Sequence, residues 1–142
     1  MKSRLAATLV LIALAGPRPA AAADSFKVIV NSRLTGRTVS RETLSQVYLG
    51  KVERWGDGKP ITAVDLSTTS PVRAAFSQSV LGLSVVGVRM YWTRTMVSDH
   101  FPPKVRSTDE DVIAFVGTRT GAVGYVSADA LLPDTVHVVT VQ

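Results

Sequence analysis

Apolar residues follow two spacings beyond residue 25. Short β-rich runs at residues 26–30 (FKVIV), 61–64, 104–106, 122–126 and 136–141 predict strands. Between them the apolar positions recur at helical spacing. Leu44, Val47 and Tyr48 share a face behind Ser40, which reads as an N-cap, and Gly50 stops that helix. Ser70 and Pro71 open a second helix: serine caps it, and proline fits the first helical position because its missing N–H costs nothing there. Val72, Ala75, Phe76 and Val80 continue it at i, i+3, i+4 and i+8, and Gly82 ends it. Ser84 opens a third helix that runs to about Ser98, before Phe101, Pro102 and Pro103 break the chain. Thr108 precedes Asp109, Glu110 and Asp111, acids that suit the positive end of a helix dipole; Val112, Ile113 and Val116 supply the buried face. Residues 31–37 read as loop, and residues 55–60 (WGDGKP) as a tight turn. About five strands interleaved with about four helices predict an α/β fold, a single open mixed sheet with helices on both faces.

The N-terminus has a different pattern. Lys2 and Arg4 precede an apolar stretch at residues 5–15, and Ala21, Ala22 and Ala23 offer a small-residue cleavage site before Asp24. This reads as a signal peptide over residues 1–23, followed by one domain over residues 24–142. The stretch is about half the roughly 20 residues a spanning helix needs, and no later segment is long and apolar enough to span, so stable membrane insertion is not expected. Cleavage would remove three of the 16 basic residues and no acid, leaving 13 against 11. The net charge of +5 then falls to +2, and the remaining basic residues are scattered. A nucleic-acid partner needs a basic face, so none is expected. With no cysteine, neither a disulfide nor a lipid-modified N-terminal cysteine is available.

The sequence offers little for catalysis. His100 and His137 are isolated, no metal-ligand spacing is present, and no G-x-S-x-G elbow appears. Asp109, Glu110 and Asp111 resemble a metal cluster in composition, but their place at a helix start explains them. The expectation is a protein that is not an enzyme and needs no cofactor or metal.

Three motifs carry more information. They are YLGKVERWGDGKPI at residues 48–61, SPVRAAF at residues 70–76 and GAVGYV at residues 121–126. In this order and at these distances the chain resembles one lobe of the phosphate-binding periplasmic proteins of ABC transporters, a type II periplasmic binding fold. The resemblance covers roughly residues 39–126 and implies that half of a two-lobed binding protein is missing. Each residue also has a structural reading. Trp55 anchors its turn by packing. Tyr48 and Tyr125 suit half-buried core positions. Gly121 supplies a turn conformation, and Gly124 permits close backbone approach within a strand.

The resemblance places a ligand site at the helix start near Ser70. The family reads Arg-x-Asp-x-Ser-Gly-Thr there. A helix N-terminus offers free N–H donors, hydroxyls add more, and a guanidinium forks onto phosphate oxygens. In this chain only Ser70 matches. Leu66 stands for the arginine, Thr68 for the acid, Pro71 for the glycine and Val72 for the threonine. What remains is a run of hydroxyls, Ser67, Thr68, Thr69 and Ser70, with Arg73 in the first turn. A cation there opposes the helix dipole, so it has either an anion or Asp65 to meet. The alternative is that Ser70 is only a cap and Arg73 a solvated surface residue. The resemblance implies a periplasmic, exported domain that binds a small anion, with phosphate the first candidate. An ABC permease or another envelope protein is the implied partner, and a homodimer would supply a second wall. The competing expectation is an envelope interaction or scaffold domain that has lost its ligand.

Overall fold

A computed structural model describes residues 25–96 and 99–142. The expected signal peptide lies outside the described residues. The chain builds one six-stranded sheet. Its strands are β1 (Phe26–Asn31), β2 (Thr38–Val39), β3 (Thr62–Leu66), β4 (Lys104–Arg106), β5 (Ala122–Ser127) and β6 (Val136–Val141). Their order is β2-β6-β1-β5-β3-β4. β1 runs antiparallel to both β5 and β6, while β2 pairs parallel with β6, and β3 parallel with β4 and β5. The sheet is therefore mixed, with β1 alone reversed. The carboxyl ends of the other five strands share one edge.

Four helices accompany the described strands: α1 (Arg41–Tyr48), α2 (Pro71–Phe76), α3 (Val85–Thr95) and α4 (Asp109–Gly117). Each begins at the hydroxyl residue that the sequence nominates. Ser40, Ser70, Ser84 and Thr108 accept from the backbone N–H of Thr43, Arg73, Gly87 and Asp111 respectively, satisfying a donor that has no intrahelical partner. The second helix differs from expectation beyond Phe76. Residues Ser77–Leu81 widen into a π-helical turn, which Gly82 closes in the left-handed conformation at φ 65°. The third helix runs over Val85–Thr95 with Met96 as its C-cap, and the expected end at Ser98 lies outside the described residues.

The fold also has one more strand than the sequence suggests. β2 is two residues long and exists through its neighbours: Thr140 N–H donates to the Arg37 carbonyl, and Gln142 N–H donates to the Val39 carbonyl.

Alternation along β5 fills both faces. Tyr125 points to the side of α1 and α2, where its ring stacks on Phe76 with centroids 3.8 Å apart and planes 5° from parallel. Tyr48 lies 4.7 Å from Phe76, and Phe26 meets it edge-on at 5.4 Å. Tyr48 and Tyr125 are 1% and 0% exposed, so both are fully buried rather than half-buried. Gly124 points the other way, against α4. A Cβ there would come within 2.8 Å of Val112 and 2.7 Å of Val64, so the glycine seats the helix closely on the sheet.

Gly121 lies in the turn that leads into β5, closed by Ala122 N–H donating to the Arg119 carbonyl at 3.0 Å, although its φ is not positive. A Cβ at this position would fall 1.8 Å from the Pro60 carbonyl oxygen, so it is here that backbone passes against backbone. Trp55 fixes the same junction. Its ring is partly buried against the core, and its Nε1–H donates to the Gly121 carbonyl at 3.0 Å. No single described helix is long and apolar enough to cross a membrane.

Candidate functional site

β3 is a buried strand that ends in Val64, Asp65 and Leu66, an apolar run with one carboxylate in it. A buried charge requires partners. The turn of α2 behind Ser70 returns Arg73 to the end of this strand. Arg73 Nη2 lies 3.2 Å from Asp65 Oδ2, and Nη1 donates to the Leu66 carbonyl at 2.7 Å. The Tyr125 hydroxyl donates to Asp65 Oδ1, and Leu66 N–H donates to the same oxygen at 3.0 Å. Tyr48 completes the buried polar set by donating to the Val64 carbonyl at 2.8 Å. No buried side-chain nitrogen or oxygen among the described residues lacks a partner.

Arg73 is therefore 8% exposed and is not a solvated surface residue. Of the two partners the sequence offered it, Asp65 holds it in this fold. Burial raises the Asp65 carboxyl above its ordinary value, against the downward pull of Arg73 and of the Tyr125 hydrogen bond. Burial also lifts the Tyr125 and Tyr48 hydroxyls well above the usual phenol range, so both stay protonated donors. A carboxyl raised in the folded state contributes stability that is complete below its unfolded pKa and is lost as pH rises through the folded one. Between about pH 4 and pH 7, the wild-type protein is expected to lose stability relative to Asp65→Asn. Thermal melts of both proteins across that range measure it. A difference that grows in favour of the wild type with rising pH would contradict the expected direction.

The hydroxyl run occupies the turn between β3 and α2. Ser67 N–H donates to the Arg106 carbonyl at 3.0 Å, and Ser70 N–H donates back to the Ser67 carbonyl at 2.9 Å, so the loop is tied to β4 and closed on itself. The Ser67 and Thr69 hydroxyls lie 3.1 Å apart and bond to each other. Ser70 Oγ accepts the Arg73 N–H at 3.3 Å. Pro71 has no N–H to offer. Thr68 is exposed and lines a recess of about 280 Å³ together with Asp65, Arg73, Arg89, Trp92 and Val105. Of the five candidates, the fold thus brings Thr68 and Arg73 to one recess. It turns Ser67 and Thr69 toward each other and uses Ser70 as a cap.

Arg89, absent from the sequence-derived set, also reaches this recess. It is exposed on α3 and has no ion-pair partner among the described residues. Nothing local singles it out, because α3 carries Arg94 as well. Among the described residues no group of three or more His, Asp or Glu side chains gathers as a metal site. The acids of α4 act as the dipole argument expects, and Asp109 additionally accepts from Ser127 N–H at 3.2 Å.

The fold has counterparts among solved structures. An ABC-type phosphate transport receptor from Vibrio cholerae superposes with a TM-score of 0.65 at 21% identity, over 83% of this chain and 46% of its own. A phosphate ABC transporter substrate-binding protein from Clostridium perfringens, solved with bound phosphate, gives 0.65 at 20% identity over 83% of this chain and 45% of its own. PstS from Borrelia burgdorferi gives 0.64 at 12% identity, covering 84% and 47%. The chain has the fold of one lobe of such a protein. It spans about half the length of these relatives, and that half is the single lobe the motifs implied. At these identities the likeness is one of fold. No protein-family model matches the chain, and no curated protein matches it.

Proposed function

We propose that this chain is an exported, single-lobed domain of the phosphate-binding-protein type that binds a small anion weakly, with phosphate as the first candidate. The observation that carries the reading is the recess at the carboxyl end of β3, where the Thr68 hydroxyl and Arg89, unpaired among the described residues, flank the neutralised Asp65–Arg73 pair. Open α/β sheets place their ligands at this edge, and one structural relative holds phosphate. Arg89, not Arg73, is the cation left to meet an anion. Two-lobed proteins bury a ligand between opposing walls and exclude water from it. One lobe gives one wall, so the expected dissociation constant is millimolar, on the order of −4 kcal/mol. A tighter site requires a wall from outside this lobe, for which an ABC permease, another envelope protein and a second copy are candidates.

Calorimetric titration of the protein with phosphate, sulfate and a carboxylate tests this. Weak phosphate binding that disappears in Arg89→Glu is the expected result. Arg73→Glu is unsuitable, because it would set a second carboxylate against Asp65 inside the core. Sub-micromolar binding by a protein shown to be monomeric by light scattering would overturn the one-wall argument. Export is checked separately: mass spectrometry of periplasmic material should give an N-terminus within a few residues of Asp24.

One observation favours a second reading, an envelope interaction domain that keeps the fold without a ligand. The helix start uses its donors internally: Arg73 is committed to Asp65 and Leu66, and Ser67 to Thr69. No heat with any of the three anions would select this reading.

A further inference from the structure

A second recess lies at the opposite end of the sheet. On the face shared with Tyr125, Val30 and Val123 pair across β1 and β5, and no residue of α1 or α2 lines the recess above them. Two loops cover that end instead: residues 32–37, leading into β2, and the turn that carries Trp55. Between them they leave a cavity of about 220 Å³. Its floor is Val30, Val123 and Val139, all buried, and Leu34, Val39 and Trp55 form its walls. The Trp55 indole is fixed in place by its hydrogen bond to Gly121, so one wall is a rigid aromatic surface. Only the rim is polar. Thr35 and Thr38 stand there exposed, and neither hydroxyl has a hydrogen-bond partner among the described residues. Asp57, the other rim group, is held by Lys59 at 2.6 Å.

We propose that this cavity is a binding site for a small neutral aromatic molecule of about phenol size, its ring against Trp55 and the valine floor and its polar substituent at Thr35 and Thr38. Size, lining and rim all select that class. Apolar cavities on the order of 150 Å³ stay dry and accept a benzene-sized guest, and this one is somewhat larger. A flat ring gains by offset or edge contact with an indole. The floor carries no charge to hold an ion, and the one acid on the rim is already paired, so a charged ligand has nothing to gain at the bottom. The two free hydroxyls offer orientation to one polar substituent, as small-ligand sites do. The site is independent of the anion recess, which lies at the other end of β3.

Trp55 reports on it directly. The chain has two tryptophans, so Trp92→Phe leaves Trp55 as the only indole. Titrating that variant with phenol, with excitation on the red edge of the indole band, is expected to give a saturable change in Trp55 emission at millimolar or lower phenol. Benzene is expected to bind more weakly, because it leaves Thr35 and Thr38 unused. Val39→Phe fills the cavity and is expected to abolish the change. Thr38→Phe closes the mouth from an exposed rim position that the fold tolerates, so the test does not depend on Val39→Phe folding. Arg89→Glu is expected to leave phenol binding intact. A strictly linear response up to the solubility limit, or saturation that persists in both filled variants, would overturn the proposal.

Discussion

Replacing Arg73 by methionine is expected to cost about 3–5 kcal/mol at neutral pH, because it leaves Asp65 charged and unpaired inside the core. Methionine keeps most of the length and volume of the side chain, so the loss reports charge and hydrogen bonding more than packing. Two further expectations separate this cause from a simple cavity. The deficit should shrink toward pH 4, where a raised Asp65 carboxyl takes up a proton and no longer needs a cation. Asp65→Asn should rescue part of the loss in the double variant, since the amide oxygen still accepts from Tyr125 and Leu66. Chemical denaturation of the wild type, both single variants and the double variant completes the cycle. An equal deficit at every pH, with no rescue, would show that the pair contributes only volume.

Phe76→Ala is expected to cost a similar amount, about 3–5 kcal/mol, and for a different reason. The Phe76 ring stacks on Tyr125, and Tyr48 and Phe26 also pack against it. It is 1% exposed, so its removal opens a hole that surrounding rings fill poorly. The loss should be nearly independent of pH, which distinguishes it from the loss at Arg73. Phe76→Leu should recover roughly half of it, because most of the volume returns without the stacking geometry. The urea midpoint of each variant gives the comparison. A Phe76→Ala protein within about 1 kcal/mol of wild type would mean that the aromatic cluster is not a central part of the core.

The two positions sit three residues apart on one short helix, and the sequence makes one of them plainer than the other. Phe76 lies on an apolar stripe that runs from Val72 to Val80 at helical spacing, so its burial follows from local periodicity. Arg73 lies on the same turn, and its own neighbourhood gives it two readings. Its burial comes from other elements: β3 ends beside it, and α3 and the strand of Val105 line the recess next to it.

The same division runs through the rest of the protein. Caps are local, and Ser40, Ser70, Ser84 and Thr108 all begin helices because a hydroxyl three residues ahead of a free N–H is a short-range fact. The mixed sheet with helices on both faces follows from alternation of strands and helices, together with the motif spacing that resembles one binding lobe. The order of the strands, the reversal of β1 and the two-residue β2 do not, because each depends on pairing across most of the chain. The close approaches at Gly121 and Gly124 are likewise tertiary: what a Cβ would strike at each position belongs to a distant part of the chain. At the candidate site the hydroxyl run was legible as composition, but its use was not. Ser67 and Thr69 bond to each other, Ser70 caps a helix, and only Thr68 is left facing the recess. Arg89 enters because α3 lines the same recess as the end of β3, a meeting with no local signature. The sequence by itself determined the elements, their caps and the kind of lobe they resemble, since these rest on spacing within a few turns of chain. Tertiary structure alone decided which charges are neutralised and which remain free, since burial and pairing are properties of what lies across the fold.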